Sequence, residues 1–249
     1  MERGKRNIVV VLIAAIIAVA VLSSFGLGLF APDTAEIVLP TAGPSASPGG
    51  ESGGAVKVEV TPETVQSVIA TLDRPESYGR TVTIQDLWGE GESGTTTARV
   101  WVDAGWTRTD AVLPGGTRRS SIVGGGQFWS WYGGEDRVLT GPADEYSADL
   151  EGQRIPTYET VLELDPASIT AAGYEALDSL GCVYAETDTG DGHSARFWVD
   201  TDSGLLVRAE QLTDGQVVYR MTASGLERPA PSDASFSLPD GTVLHRVGA

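Results

Sequence analysis

Fifteen consecutive apolar residues, Ile8–Leu22 (IVVVLIAAIIAVAVL), follow Arg3, Lys5 and Arg6, and no charge appears until Asp33. The uncharged stretch 8–31 is 24 residues long, about 36 Å as a helix, enough to cross a hydrocarbon core of roughly 30 Å. The basic flank keeps the N-terminus cytoplasmic and sends everything after the stretch across the membrane. Length favours a retained anchor over residues 1–31. The alternative is a cleaved signal peptide, for which Ser23 and Ser24 supply small residues but no A-x-A site. Residues 32–55, with the run TAGPSASPGGESGG, are too small and polar to offset chain entropy and read as a flexible linker. The folded part is then residues 56–249.

There the first apolar period is helical. Val65, Val68, Ile69 and Leu72 share one face behind Thr61-Pro62, an N-cap and a proline at the first helical position, with Glu63 in the first turn. The period then becomes two. Runs at 81–88, 95–103, 106–113, 118–123, 127–132 and 137–140, separated by Gly- or Asp-rich turns, predict an antiparallel meander. Thr157 before 158–164, then Asp165-Pro166, predict a helical interruption. Strands resume at 181–188, 195–200, 205–211 and 216–223, and the tail 236–245 offers one more. Ala98–Asp103 (ARVWVD) and Ala195–Asp200 (ARFWVD) agree at five of six positions, as two hairpins under the same sheet constraints do.

Alternation sorts these strands into faces. Val82, Ile84, Val100, Val102, Phe197, Val199, Leu205, Val207, Ala209, Val217, Tyr219 and Met221 fall on one broad apolar face, and Phe128 joins them. Only the segments near 62–72 and 158–169 are available as helices to cover it. Such a sheet either packs shut or keeps a concave apolar cavity, and a cavity is where binding rests. Its candidate lining is Val82, Ile84, Val100, Val102, Phe128, Phe197, Val199, Leu205, Val207, Tyr219 and Met221. The run Gln127–Tyr132 (QFWSWY) carries rings on both faces and reads as a central strand covered on each side.

Composition narrows the function. The 249 residues carry a net charge of −17, with 31 Gly, 13 Pro and one Cys. From residue 56 onward, 30 acids and 14 bases leave about −16, which argues against nucleic acid and against electrostatic docking on anionic lipid. Arg118 and Arg119 are the only positive charges beside the aromatic run, too few for a base-stacking platform. A lone cysteine excludes an intrachain disulfide, a lipobox and a Cys-cluster metal site.

Catalytic and metal motifs are weak. Gly89–Gly94 matches G-x-G-x-x-G but precedes a strand, and its glutamates repel a pyrophosphate, so it reads as a hairpin loop. Asp200-x-Asp202-x-Gly204 lacks the closing acid of a calcium loop, and Asp188, Asp191 and His193 read as a solvated turn. No G-x-S-x-G surrounds a serine, the histidines are His193 and His245 alone, and Cys182 sits among apolar strand residues as an inert thiol. The residues therefore predict no enzyme, no cofactor and no metal.

The run Ala195–Glu210, then Gly215–Met221, then Phe236-Ser-Leu-Pro-Asp-Gly241, resembles the end of LolA-like proteins, with their strand, D-x-x-T/S-G-L turn, returning strand and late Phe-x-x-Pro. Gly126–Tyr132 is similar to that family's central G-x-x-x-W-x-Y strand. The resemblance spans most of 56–241, in the order helix, meander, helical insertion, second strand group. The superfamily includes lipoprotein carriers and the RseB (MucB) regulators of envelope stress. It implies an α+β fold, an incomplete, strongly curved antiparallel β-barrel with helices on its concave side, and a hydrophobic cavity. Arg108 falls near a strand arginine that helps close the cavity in carriers, within a pattern that departs from theirs. A retained anchor would also prevent the long-range shuttling that carriers perform. The expected occupants are a lipid or lipoprotein acyl chain or, in the RseB-type alternative of sigma-factor signalling, an envelope protein.

Overall fold

A computed structural model of the protein describes residues 59–88, 92–135, 137–143 and 155–248. The expected membrane segment and linker lie outside the described residues, among which no helix is long and apolar enough to cross a membrane. Helix α1 (Val65–Thr71) comes first. A first strand group follows: β1 (Ser77–Trp88), β2 (Glu92–Asp103), β3 (Trp106–Val112), β4 (Arg118–Gly124), β5 (Gln127–Tyr132) and β6 (Leu139–Pro142). Helix α2 (Tyr158–Leu162) and a 3₁₀ turn (Pro166–Ser168) lead into β7 (Ile169–Leu177), β8 (Leu180–Asp188), β9 (His193–Asp200), β10 (Leu206–Thr213) and β11 (Gln216–Glu227). A hairpin of β12 (Ser235–Ser237) and β13 (Val243–Arg246) ends the chain.

Strands β1 to β11 form one antiparallel sheet in the order β6-β5-β4-β3-β2-β1-β11-β10-β9-β8-β7. Two meanders are joined through β1 and β11, with Val82 opposite Ala223 and Ile84 opposite Met221. Strands β6 and β7 are the edges and do not pair, so the sheet is not closed among the described residues. A flat sheet would hold β4 and β10 five spacings apart, about 24 Å. Arg119 of β4 and Leu206 of β10 nevertheless border one space of about 430 Å³, so the sheet curls round it.

The inner face carries the main core. Val82, Ile84, Ala98, Val100, Val183, Phe197, Val199, Ala209 and Met221 pack there with Val65 and Ile69 of α1 and Val161 of α2. The helix register is as the period predicts, but regular helix opens at Val65, because Thr61–Thr64 make a turn of their own: the Thr61 amide donates to Thr64 Oγ1 at 2.9 Å. The α2 entry is set by Thr157, whose amide donates to Thr160 Oγ1 at 3.2 Å.

Three expectations are corrected. Strand β7 begins at Ile169, whereas strands were expected to resume only at 181; most of this Ala- and Gly-containing edge strand is half-buried or exposed, so its sequence has little alternation to show. The tail adds no strand to the large sheet and forms its own hairpin on the outer face. The run at β5 is also next to an edge rather than central: Phe128 and Tyr132 point inward, Trp129 and Trp131 outward against the tail.

That tail is fastened by Asp103, the end of the first repeated hexapeptide. His245 Nε2 lies 2.7 Å from Asp103 Oδ2, and the Gly248 amide donates to the same oxygen at 3.4 Å. Around this pair Trp106 stacks on His245 with centroids 5.5 Å apart, and Phe236 meets the imidazole edge-on at 5.2 Å. Gly124 admits the Trp106 ring, since a Cβ there would sit 2.1 Å from it. Burial alone would raise the Asp103 pKa, but hydrogen bonds from Ser77, His245 and Gly248 outweigh it and hold the carboxyl below its ordinary value.

Asp103→Asn is therefore expected to cost about 1–3 kcal/mol at pH 7, read as a lower urea midpoint. A depressed folded-state pKa gives stability above the unfolded carboxylate value of about 4 that is lost as pH falls through the folded one. The gap between native and variant midpoints should accordingly shrink at pH 3.

Candidate functional site: a cavity on the inner face

The cavity of about 430 Å³ lies on the half of the inner face that the helices leave uncovered. Its apolar wall is Ile84 of β1, Ala98, Val100 and Val102 of β2, Ala111 of β3 and Val123 of β4, with Leu205 and Leu206 across from them. The strand register dictates this wall: Val100 faces Thr109 and Ala98 faces Ala111, so both alanines present small side chains to the same row and leave room.

The rim comes from the segment after α1 and from the start of α2: Arg74, Pro75, Tyr78, Ile155, Thr157, Tyr158 and Glu159. Arg74 donates to the carbonyls of Ile69, Leu72 and Gly204 and lies 3.6 Å above the Tyr158 ring. It satisfies carbonyls at the C-terminal end of α1 while it buttresses α2. Gly204 is required at this contact, because its φ is +63° and a Cβ would lie 2.7 Å from the Asp73 carbonyl oxygen. Gln66 completes the link from the other helix, its amide nitrogen donating to the carbonyls of Val161 at 3.0 Å, Leu162 at 3.2 Å and Leu164 at 2.9 Å.

The candidate lining divides into three groups. Ile84, Val100, Val102 and Leu205 border the cavity. Val82, Phe197, Val199 and Met221 are buried in the filled core beneath the helices, with Tyr219 packed against them, and Phe128 lies on the inner face beside Gly141. Val207 is corrected: it packs on the opposite face with Cys182 and Trp198. The reason is a β-bulge. Leu206 pairs with Val199 and Arg208 with Trp198, so Val207 is the inserted residue and strict alternation fails there.

Sequence reasoning missed the polar lining: Arg80, Thr96, Thr107, Thr109 and Arg119. Its signal was present, since Tyr78, Arg80, Val82 and Ile84 alternate onto one face and put an arginine among inward residues. Arg80 and Arg119 are 4% and 5% exposed. Burial pushes the Arg80 pKa down. Arg108, placed near the cavity by resemblance, stands on the outer face, bonded to Asp110 and to the carbonyls of Ser235 and Ser237.

No histidine or cysteine lines this cavity. Cys182 is buried on the outer face with its thiol pushed up to about 11, by burial first and then by Asp200 and Glu175. Asp200, in the calcium-like run, accepts from the Ser203 amide and hydroxyl. Among the described residues no three His, Cys, Asp or Glu side chains are grouped to hold a metal.

No family model and no curated protein matches the chain. Solved structures do. An uncharacterized conserved protein from Thermus thermophilus has a TM-score of 0.45 at 12% identity, over 69% of this chain and 91% of that one. The MucA/MucB complex of Pseudomonas aeruginosa gives 0.43 at 20%, over 69% of this chain and 59% of that one. A LolA superfamily protein from Nitrosomonas europaea gives 0.32 at 11%, over 69% and 95%.

Gln66→Ala removes the donor shared by the carbonyls of Val161 and Leu162 at the end of α2 and of Leu164 just after it. It is expected to leave the sheet folded, with circular dichroism near native, and to increase amide exchange across 158–164 at least tenfold, measured by mass spectrometry.

Proposed function

We propose that the domain is a non-enzymatic extracytoplasmic binding module, tethered by residues 8–31, that holds the alkyl chain of a lipid or lipoprotein. The observation that carries this reading is the 430 Å³ space itself, walled by Ile84, Ala98, Val100, Val102, Ala111 and Val123 and left open by the side chains of the described residues. Its volume falls in the roughly 300–1,000 Å³ range of ligand pockets. An alkyl chain gains about 0.8 kcal/mol per buried CH₂, so such a wall holds one with few polar contacts.

The test uses delipidated protein and the neutral probe N-phenyl-1-naphthylamine, whose fluorescence rises in apolar surroundings. One saturable site, emptied by hexadecanol, is expected. Ala98→Phe fills the space and should weaken probe binding at least tenfold, about 1.4 kcal/mol. Val112→Ser, at an exposed position outside the cavity, should leave it unchanged. Absence of a saturable site in the native protein overturns the lipid reading and leaves the RseB-type alternative, an envelope regulator that docks another protein.

A further inference from the structure

Arg80 is the most buried of the described arginines. On the outer face, Arg99 pairs with Glu227, Arg108 with Asp110, Arg196 with Glu186 and Arg220 with Glu210, at 2.6–3.3 Å. Arg80 is more buried than any of these, yet among the described residues its hydrogen bond is to a backbone carbonyl: Nη1 donates to the Leu206 oxygen at 2.8 Å, in the strand stretch that the bulge distorts. Its Nε is buried with no hydrogen-bond partner. A guanidinium has five N–H donors, and burying its charge without a carboxylate is costly. Arg80 spends this cost on the wall of an apolar cavity, where Arg119 is a second buried guanidinium. Glu159, the acidic residue of the lining among the described residues, is exposed at the rim and accepts hydrogen bonds from Thr157 and Tyr158. A chain of net charge −17 therefore keeps the Arg80 guanidinium inside its cavity.

We infer that the ligand is an alkyl chain ending in an anionic oxygen head, a carboxylate or a phosphate, held by the Arg80 guanidinium while the chain lies along Ile84, Val100 and Val102. This rests on the alkyl-binding reading above and adds the head group. A charged oxygen accepting from a guanidinium in a dry site forms a strong, paired hydrogen bond, and it supplies the counter-charge that Arg80 lacks.

The experiment displaces N-phenyl-1-naphthylamine with palmitate, hexadecyl phosphate or hexadecanol, which share a chain length and differ in the head. For the native protein, at least one anionic ligand should displace the probe at about tenfold lower concentration than hexadecanol, and whichever acts at the lower concentration identifies the head. Arg80→Met should bring all three within twofold while probe binding persists. Arg220→Met, which removes an outer-face arginine, should keep the native ratio. Thr109→Glu covers the case in which Arg80→Met does not fold: it sets a carboxylate on the inner row through Val100 and Arg80 and should also erase the preference. Equal displacement by all three ligands in the native protein, or a preference that survives Arg80→Met or Thr109→Glu, overturns the inference. Failure of the probe to saturate overturns the alkyl-binding reading instead, so the two failures are distinct.

Discussion

The structure depends on a mismatch of lengths between sheet and lid. Strands β1 and β2 run for twelve residues each, about 40 Å of apolar-faced backbone, whereas α1 has seven residues and α2 five, about 10 and 8 Å of helix. Two such helices seal only part of the inner face. Where they do, Val65, Ile69 and Val161 meet Val82, Phe197, Val199 and Met221 and the core is full. Where they stop, curling brings β2, β3 and β4 opposite the β10 bulge, and small side chains at Ala98 and Ala111 leave the remaining space open.

Polar groups divide along the same line. The outer face pairs Arg99, Arg108, Arg196 and Arg220 with carboxylates and packs Trp106, Trp129 and Trp131 with the tail. The inner face holds the Arg80 guanidinium with no carboxylate partner among the described residues, and its rim is tied by backbone carbonyls that accept from Gln66 and Arg74. Short helices make weak elements in isolation. Those side-chain links, more than intrinsic helix stability, set the opening into the cavity.

Much of this was legible in the sequence because alternation is a faithful signal wherever a strand has one buried and one wet face. Val82, Ile84, Val100 and Val102 fall on the inner face as their period predicts. The signal fails in three physical situations. At Val207 a bulge shifts the register, so the residue expected in the cavity lies behind it with Cys182. At β7 an edge strand buries too little to show a period. At Arg80 the period was correct, but an arginine on an apolar row conveys nothing until distances show which partners it has. The His245–Asp103 contact spans 142 positions and joins two residues without any local pattern to announce it.

The pairing of β1 with β11 ties the first strand of the sheet to the last. A ribosome or translocon delivers β1 long before residue 216 emerges, so the nascent sheet waits with one naked edge and half a hydrophobic wall. Non-local pairing of this kind slows folding and exposes intermediates to aggregation. Vectorial synthesis thus makes this domain an all-or-nothing product: a chain stalled or clipped ahead of Gln216 yields a sticky fragment rather than a smaller working unit.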